Sequence, residues 1–188
     1  KITYIPNGPD PEDFKPSAAR EVLRERYGFD QITAVYAGAH GPANGLDLLL
    51  DAAYQIRTLP ISIVLVGSGV EKDRLIARAK RDHLENVRFM DPVPKSKIPD
   101  LLYASDIGLH VLADVELFQT SVSPNKVFDY MAASLPIVTN CSGYVTRIVG
   151  EAECGIGVQP RNLAEGIEKI LSYDPTALGM SGYQWLLN

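Results

Sequence analysis

The stretch Ile32-Thr-Ala-Val-Tyr-Ala-Gly-Ala-His-Gly-Pro-Ala-Asn-Gly-Leu-Asp-Leu-Leu-Leu50 contains two elements and the turn that joins them. Ile32 to Ala37 is apolar throughout, as a strand buried on both faces is. From Leu46 to Ile56 the apolar residues recur at helical spacing. The turn between spends Gly38, Gly41, Pro42 and Gly45 and holds one histidine, His40. A turn this rich in glycine is either a tight strand-to-helix connection or a place where backbone closes on a ligand.

The same pairing recurs along the chain. Apolar, β-branched runs lie at Ile61 to Val66, Val87 to Met90, Ile107 to Leu112, Pro136 to Thr139 and Gly155 to Val158. Helical patterns fall between or after them at Val70 to Arg81, Lys97 to Ala104, Asn125 to Ala133, Tyr144 to Val149 and Leu163 to Leu171. Alternating strands and helices imply right-handed crossovers and a parallel sheet covered on both faces. The fold class is therefore α/β, a doubly wound Rossmann-like parallel sheet. Ligands of such sheets bind beyond the carboxyl ends of the strands. That rule directs attention to the turns 39–45, 67–69, 91–96, 113–124 and 140–143.

Upstream, residues 1–16 carry Pro6, Pro9, Pro11 and Pro16 with Asn7-Gly8 and read as a first short strand running into an irregular linker. Ser17 to Arg26 is a short helix with Ser17 as N-cap, stopped at Gly28. Residues 17–178 make one domain, and 179–188 begin a final helix that is cut short, with Trp185 on the surface. The opening lacks a Met and starts mid-strand, so the chain reads as a piece of something longer.

Composition bounds the function. With 188 residues, 46% hydrophobic and 22% charged, the chain can fill one core. A formal charge of −5, with 18 basic residues scattered along the chain, argues against nucleic-acid binding, which wants a basic stripe. No apolar run approaches the ~20 residues that span a bilayer, and the opening has no signal-peptide layout. Cys141 and Cys154 are not spaced as metal ligands and read as free thiols of a cytoplasmic protein. His40, His83 and His110 are too far apart in sequence to suggest a metal site, and no metal is expected.

Ser123-Pro-Asn-Lys126 marks a helix start, with Ser a preferred N-cap and Pro favoured at the first helical position. A cation in the first turn works against the macrodipole, so Lys126 points to an anion joining the helix start. Asp129 follows one turn later. It either complements the dipole or accepts from a pair of sugar hydroxyls, and spacing does not separate the two. Gly67-Ser-Gly69 fails the dinucleotide fingerprint because Lys72 stands at the third glycine position. Asp114 and Glu116 read as solvated charge, and His110, inside a strand, as a core or rim histidine.

Five pieces then matter by their order and spacing: Ile5-Pro-Asn-Gly8, the glycine turn with Gly45-Leu-Asp-Leu-Leu49, Val66-Gly-Ser-Gly69, Ala104-Ser-Asp-Ile-Gly-Leu109 and Ser123-Pro-Asn-Lys-Val-Phe-Asp-Tyr-Met-Ala-Ala-Ser-Leu-Pro-Ile137. Together they resemble the C-terminal half of retaining glycosyltransferases of the large GT-B family 4, over nearly the whole chain. His40-Gly-Pro-Ala-Asn-Gly-Leu46 and Ser123-Pro-Asn-Lys126 look closest to bacterial enzymes that transfer N-acetylated sugars in lipopolysaccharide, O-antigen or capsule assembly.

The resemblance implies a donor-binding domain for a nucleotide diphosphate sugar, UDP with an N-acetylated sugar in this version, and no cofactor or essential metal. It places the base near Met90 to Val93, with Val93 in contact, and the ribose on Asp129. The diphosphate lies between the glycine turn, Gly38, Gly41, Asn44 and Gly45, and the helix start, Ser123, Asn125 and Val127. Lys126 and His40 take the catalytic roles, His40 donating a hydrogen bond to the diphosphate or leaving sugar. Two departures from the pattern stand out. Asn44 replaces a basic residue, and the usual acid pair is Ser121 and Asp129. The glycan or lipid-linked acceptor belongs to an N-terminal half that this chain lacks. Any peripheral contact with the inner face of the cell membrane belongs there too, so this chain binds nucleotide weakly and transfers nothing. The rivals are a sugar-nucleotide epimerase of the same architecture, a non-catalytic nucleotide-binding module and a receiver-like domain.

Overall fold

A computed structural model describes residues 9–11, 14–115 and 125–187. Helix α1 spans Arg20–Tyr27, and six strands follow: β1 (Ile32–Ala37), β2 (Ile61–Val66), β3 (Val87–Met90), β4 (Ile107–His110), β5 (Ile137–Thr139) and β6 (Gly155–Gly157). Between and after them lie α2 (Asp47–Gln55), α3 (Lys72–Arg81), α4 (Ile98–Ala104), α5 (Asn125–Ala132), α6 (Tyr144–Glu151), α7 (Leu163–Ile170) and α8 (Pro175–Leu186). All sheet pairs are parallel, in the order β3-β2-β1-β4-β5-β6.

That order reverses between β1 and β4, so the chain leaves the two central strands in opposite directions and opens a crevice at their carboxyl ends. Strands β1 and β2 are mostly apolar because each contributes to two cores. Ala34, Tyr36, Ile63 and Leu65 pack with α2, α3 and α7 on one face. Val35, Val64 and Val66 pack with α1, α4, α5 and α6 on the other. Among the described residues, no helix is long and apolar enough to cross a membrane.

Three expectations from the sequence are corrected. Ser17 is not the cap of α1, which starts at Arg20 behind an uncapped Ala19. Its amide and hydroxyl instead donate to the buried Asp100 carboxylate, at 2.6 and 2.7 Å. The last helix begins at Pro175 rather than 179, because Asp174 accepts from the amides of Thr176 (2.9 Å) and Ala177 (3.3 Å). Trp185 is also not on the open surface: it is half-buried and stacks on Phe128 of α5 with ring centroids 6.4 Å apart.

Asp106 ties the two central strands to α1. It accepts from the Thr33 amide at the start of β1 (2.8 Å), from Arg20 (2.6 Å) and from Arg24 (2.8 Å). The arginines extend the clamp to the carbonyls of Ser105 and Ala104. Burial alone would raise the Asp106 pKa, but the Thr33 amide and the two guanidinium groups outweigh it and hold the carboxyl below its usual value. A depressed folded pKa gives stability that is complete above the unfolded value, near ~4, and is lost as pH falls below it. Asp106→Asn is therefore expected to lower stability by about 2 kcal/mol at pH 7. Urea denaturation at pH 7 and pH 3 should show that difference shrinking at the lower pH.

Candidate functional site

The site is built where the turn after β1 meets its neighbours. Three of its contacts are made by backbone. The Gly38 amide donates to Val66 O (2.9 Å), the His40 amide to Ser68 O (2.8 Å), and the Glu71 amide to His40 O (3.0 Å). Gly67 and Gly69 permit this approach, since a Cβ at Gly69 would sit 2.4 Å from His40 O. On the other side, Gly45 (φ 57°) rests on the segment after β4, where an added Cβ would lie 2.6 Å from Ala113 Cα. The Ala113 amide donates to Ala43 O (3.0 Å). Asn140 holds that segment, its side chain accepting from the Leu112 amide (3.0 Å) and donating to Leu112 O (2.8 Å).

Helix α5 supplies the other wall. Tyr130 locks it over the switch point by donating to Leu109 O (3.0 Å) and accepting from the Ala37 amide (3.5 Å). Lys126 and Asp129 then face a cleft of about 360 Å³ whose other walls include Gly38, Gly67, Ser68, Pro92 and Val93. Lys126 passes directly over Gly38, where an added Cβ would be 2.4 Å from its Cε and 3.1 Å from its Nζ. Burial lowers the Lys126 pKa, an effect opposed by Cys141 and Asp129. Burial raises the Asp129 carboxyl to about 6, against the pull of Lys95 and Lys126. A second cavity, of about 700 Å³, shares Asp129 and is bordered by Lys15, Lys95 and Asn125.

Of the residues picked out by sequence, Gly38, Val93, Lys126 and Asp129 meet in the cleft, and Asn125 borders the adjoining cavity. Val127 turns its side chain into the core beneath α5. Ser123, with Ser121, Val122 and Glu116, lies outside the described residues.

The expected use of the glycine turn is corrected. The Gly38 amide is engaged by Val66, and the Gly45 amide donates to Pro42 O (3.3 Å), so neither offers its N–H to an anion. Gly41 and Asn44 are not on the cleft wall. His40 is also displaced from its expected role: it is fully buried, its ring lies beside Tyr36 and Phe89, and among the described residues neither ring nitrogen has a hydrogen-bond partner. Its backbone bonds to the β2–α3 turn fix it there. Burial, then the nearby Lys72, lowers its pKa and favours the neutral ring.

Sequence reading passed over Tyr130, although it stands four residues after Lys126 and therefore on the same helical face. It also treated Lys72 only as a missing glycine. The Lys72 ammonium donates to Gly67 O (2.9 Å), Met90 O (3.0 Å) and Asp91 (2.8 Å), which closes the ends of β2 and β3. His110 is a buried histidine whose Nδ1 lies 3.0 Å from Thr139 Oγ1, and burial followed by Lys126 pushes its pKa down to about 3. Both cysteines are buried and unpaired, with the Cys141 thiol pushed up to about 11 by burial.

A crevice at the switch point of a doubly wound sheet, here walled by a helix start with one half-buried lysine, is where α/β domains of this kind bind their ligands. Residues 31–173 match the glycosyl transferases group 1, and the chain belongs to that family. It is 25% identical over 147 residues to a protein named for colanic acid biosynthesis, the glycosyl transferase WcaI of Escherichia coli (strain K12), covering 76% of this chain and 36% of that one. The C-terminal domain of the group 1 family protein LpcC from Francisella tularensis superposes with a TM-score of 0.78 at 16% identity, over 96% of this chain and 97% of that one. Anabaena HepE, solved with UDP-glucose, gives a TM-score of 0.78 at 23% identity, over 96% of this chain and 50% of that one. The fold is thus that of the C-terminal half of GT-B glycosyltransferases, and the chain spans about a third of WcaI and half of HepE.

Gly41 and Gly45 of the quoted turn should respond differently to alanine. Gly41 has φ −116° and open space, its nearest neighbour being Asn44 Nδ2 at 3.7 Å, so Gly41→Ala should change stability by less than about 0.5 kcal/mol. Gly45→Ala combines left-handed strain with a backbone clash and should cost about 3 kcal/mol, read by chemical denaturation.

Proposed function

We propose that this chain is the donor-binding half of a retaining glycosyltransferase that takes a sugar from a nucleotide diphosphate sugar and passes it to a glycan or lipid-linked acceptor. The donor class we favour is UDP with an N-acetylated sugar, and the setting is bacterial cell-surface polysaccharide assembly. The observation that carries the reading is Lys126, a half-buried lysine on the first turn of α5 that crosses Gly38 into the cleft at the switch point. The name of WcaI and the UDP-glucose bound by HepE support the setting and the donor class.

In this reading the diphosphate meets Lys126 and the amides at the start of α5. Negative charge grows on it as the glycosidic bond breaks, and a positive group held in place in the cleft stabilises that charge with little reorganisation. The base lies against Pro92 and Val93, and the ribose hydroxyls donate to Asp129. His40 keeps a supporting place beneath the β2–α3 turn, with no contact to the donor. No metal has a role, and the acceptor is held by a further domain.

Calorimetric titration with UDP, GDP and ADP tests this. One nucleotide should bind weakly, and Lys126→Ala should reduce its affinity by about tenfold or more, as expected for a lost charge-assisted contact. Asp129→Asn adds a pH signature. The ribose needs the ionised carboxylate, and Asp129 ionises only as pH rises through about 6. The affinity ratio of wild type to Asp129→Asn should therefore be larger at pH 7.5 than at pH 5. Binding that neither substitution weakens would overturn the site.

A further inference from the structure

Lys126 has an unusual partner. Helix α5 packs on the sheet face that holds Val35 and Val66, whereas the side chain of Tyr36 belongs to the opposite core, with α2 and α7. The Lys126 Nζ nevertheless lies 5.2 Å from the Tyr36 ring centroid. To get there it crosses the end of β1 over Gly38, at a point where any side chain would collide with its Cε. The ring is fully buried, and its hydroxyl donates to Ala39 O at 2.9 Å, so its face is held to the turn that lines the cleft.

We infer that Tyr36 is a positioning residue for Lys126, holding the ammonium over its ring face at the cleft until the diphosphate arrives. The inference rests on the donor-site reading above and deepens it. A half-buried lysine on the first turn of a helix faces the helix's own positive end and has lost part of its hydration. It would otherwise fold out towards water, taking with it the charge that the site needs. A cation over an aromatic face is attracted by the ring quadrupole, most strongly when desolvated. Unlike a carboxylate, the ring does not neutralise the ammonium or compete with an incoming phosphate for its donors. The hydroxyl bond to Ala39 adds orientation, since it ties the ring to the same turn that Lys126 crosses. Gly38 then acts as an empty position: its contribution is the path it leaves for the lysine.

The test has two arms, both on this chain. In the first, UDP affinity is measured calorimetrically for wild type, Tyr36→Leu, Tyr36→Phe, Lys126→Ala and the Tyr36→Leu/Lys126→Ala pair. Tyr36→Leu should weaken UDP by about tenfold, the worth of a desolvated cation–π contact. Tyr36→Phe should restore most of that loss, because it keeps the ring face. In the Lys126→Ala background the leucine should have no further effect. An equal loss in both backgrounds would show that Tyr36 merely supports the fold, and would overturn the inference.

The second arm needs no ligand and no leucine variant. Lysine side chains are labelled with 13C, and the Lys126 Cε methylene resonance is assigned by its disappearance in Lys126→Ala. Ring-current shielding should move its protons upfield in the wild type. An unshielded methylene would overturn the inference even if UDP binds. Failure of UDP to bind would defeat the donor-site reading, while the shielding would still decide where Tyr36 holds the lysine.

Discussion

The turn after β1 touches both of its neighbours through backbone alone, and the whole rim of the sheet follows from that approach. His40 is stitched by its amide and carbonyl to the turn after β2, while Gly45 rests on Ala113 in the segment after β4. Backbone groups that meet this closely satisfy one another's hydrogen bonds but leave no volume for a Cβ between them. Glycine at 45, 67 and 69 is therefore a packing requirement. Its consequence is a floor of closely packed backbone at the switch point, beside which α5 sets Lys126 and Asp129 at one cleft.

Charge in that cleft is governed by burial more than by pairing. Asp129 and Lys126 are one helical turn apart, and each is moved towards its neutral form chiefly by loss of water. The clamp at the other end of the sheet behaves in the opposite way. Asp106 is half-buried too, yet an amide and two guanidinium groups keep it ionised. The contrast separates a carboxylate kept ionised by its partners from one that burial moves towards its neutral form.

Much of the fold was legible because its strands are β-branched runs separated by helical periods, and the six strands fall within two residues of where the sequence sets them. What failed depended on contacts far along the chain. Ser17 looks like a cap by local rules, but its partner Asp100 is 83 residues away. Helix α8 packs through Gly179 and Gly182, so it lacks the apolar stripe that would have announced its start, and only Asp174-Pro175 marks it. In the site, Lys126 and Asp129 were readable because a helix start has local chemistry. The direction of the His40 ring was not, since it is set by two glycines on another turn, and Tyr36 looked like any core residue because its use is on the far side of the sheet from its strand neighbours.

The central claim is that one cleft, at the switch point and under Lys126, receives the nucleotide. An amide 1H–15N map of the chain titrated with UDP tests it most directly. The account predicts that the perturbed amides cluster at Gly38 and Ala39, Gly67 and Ser68, Val93, and Lys126 to Tyr130. Perturbations centred instead on the surface cavity bordered by Asp51, Arg78 and Arg161, with those cleft amides unmoved, would contradict it.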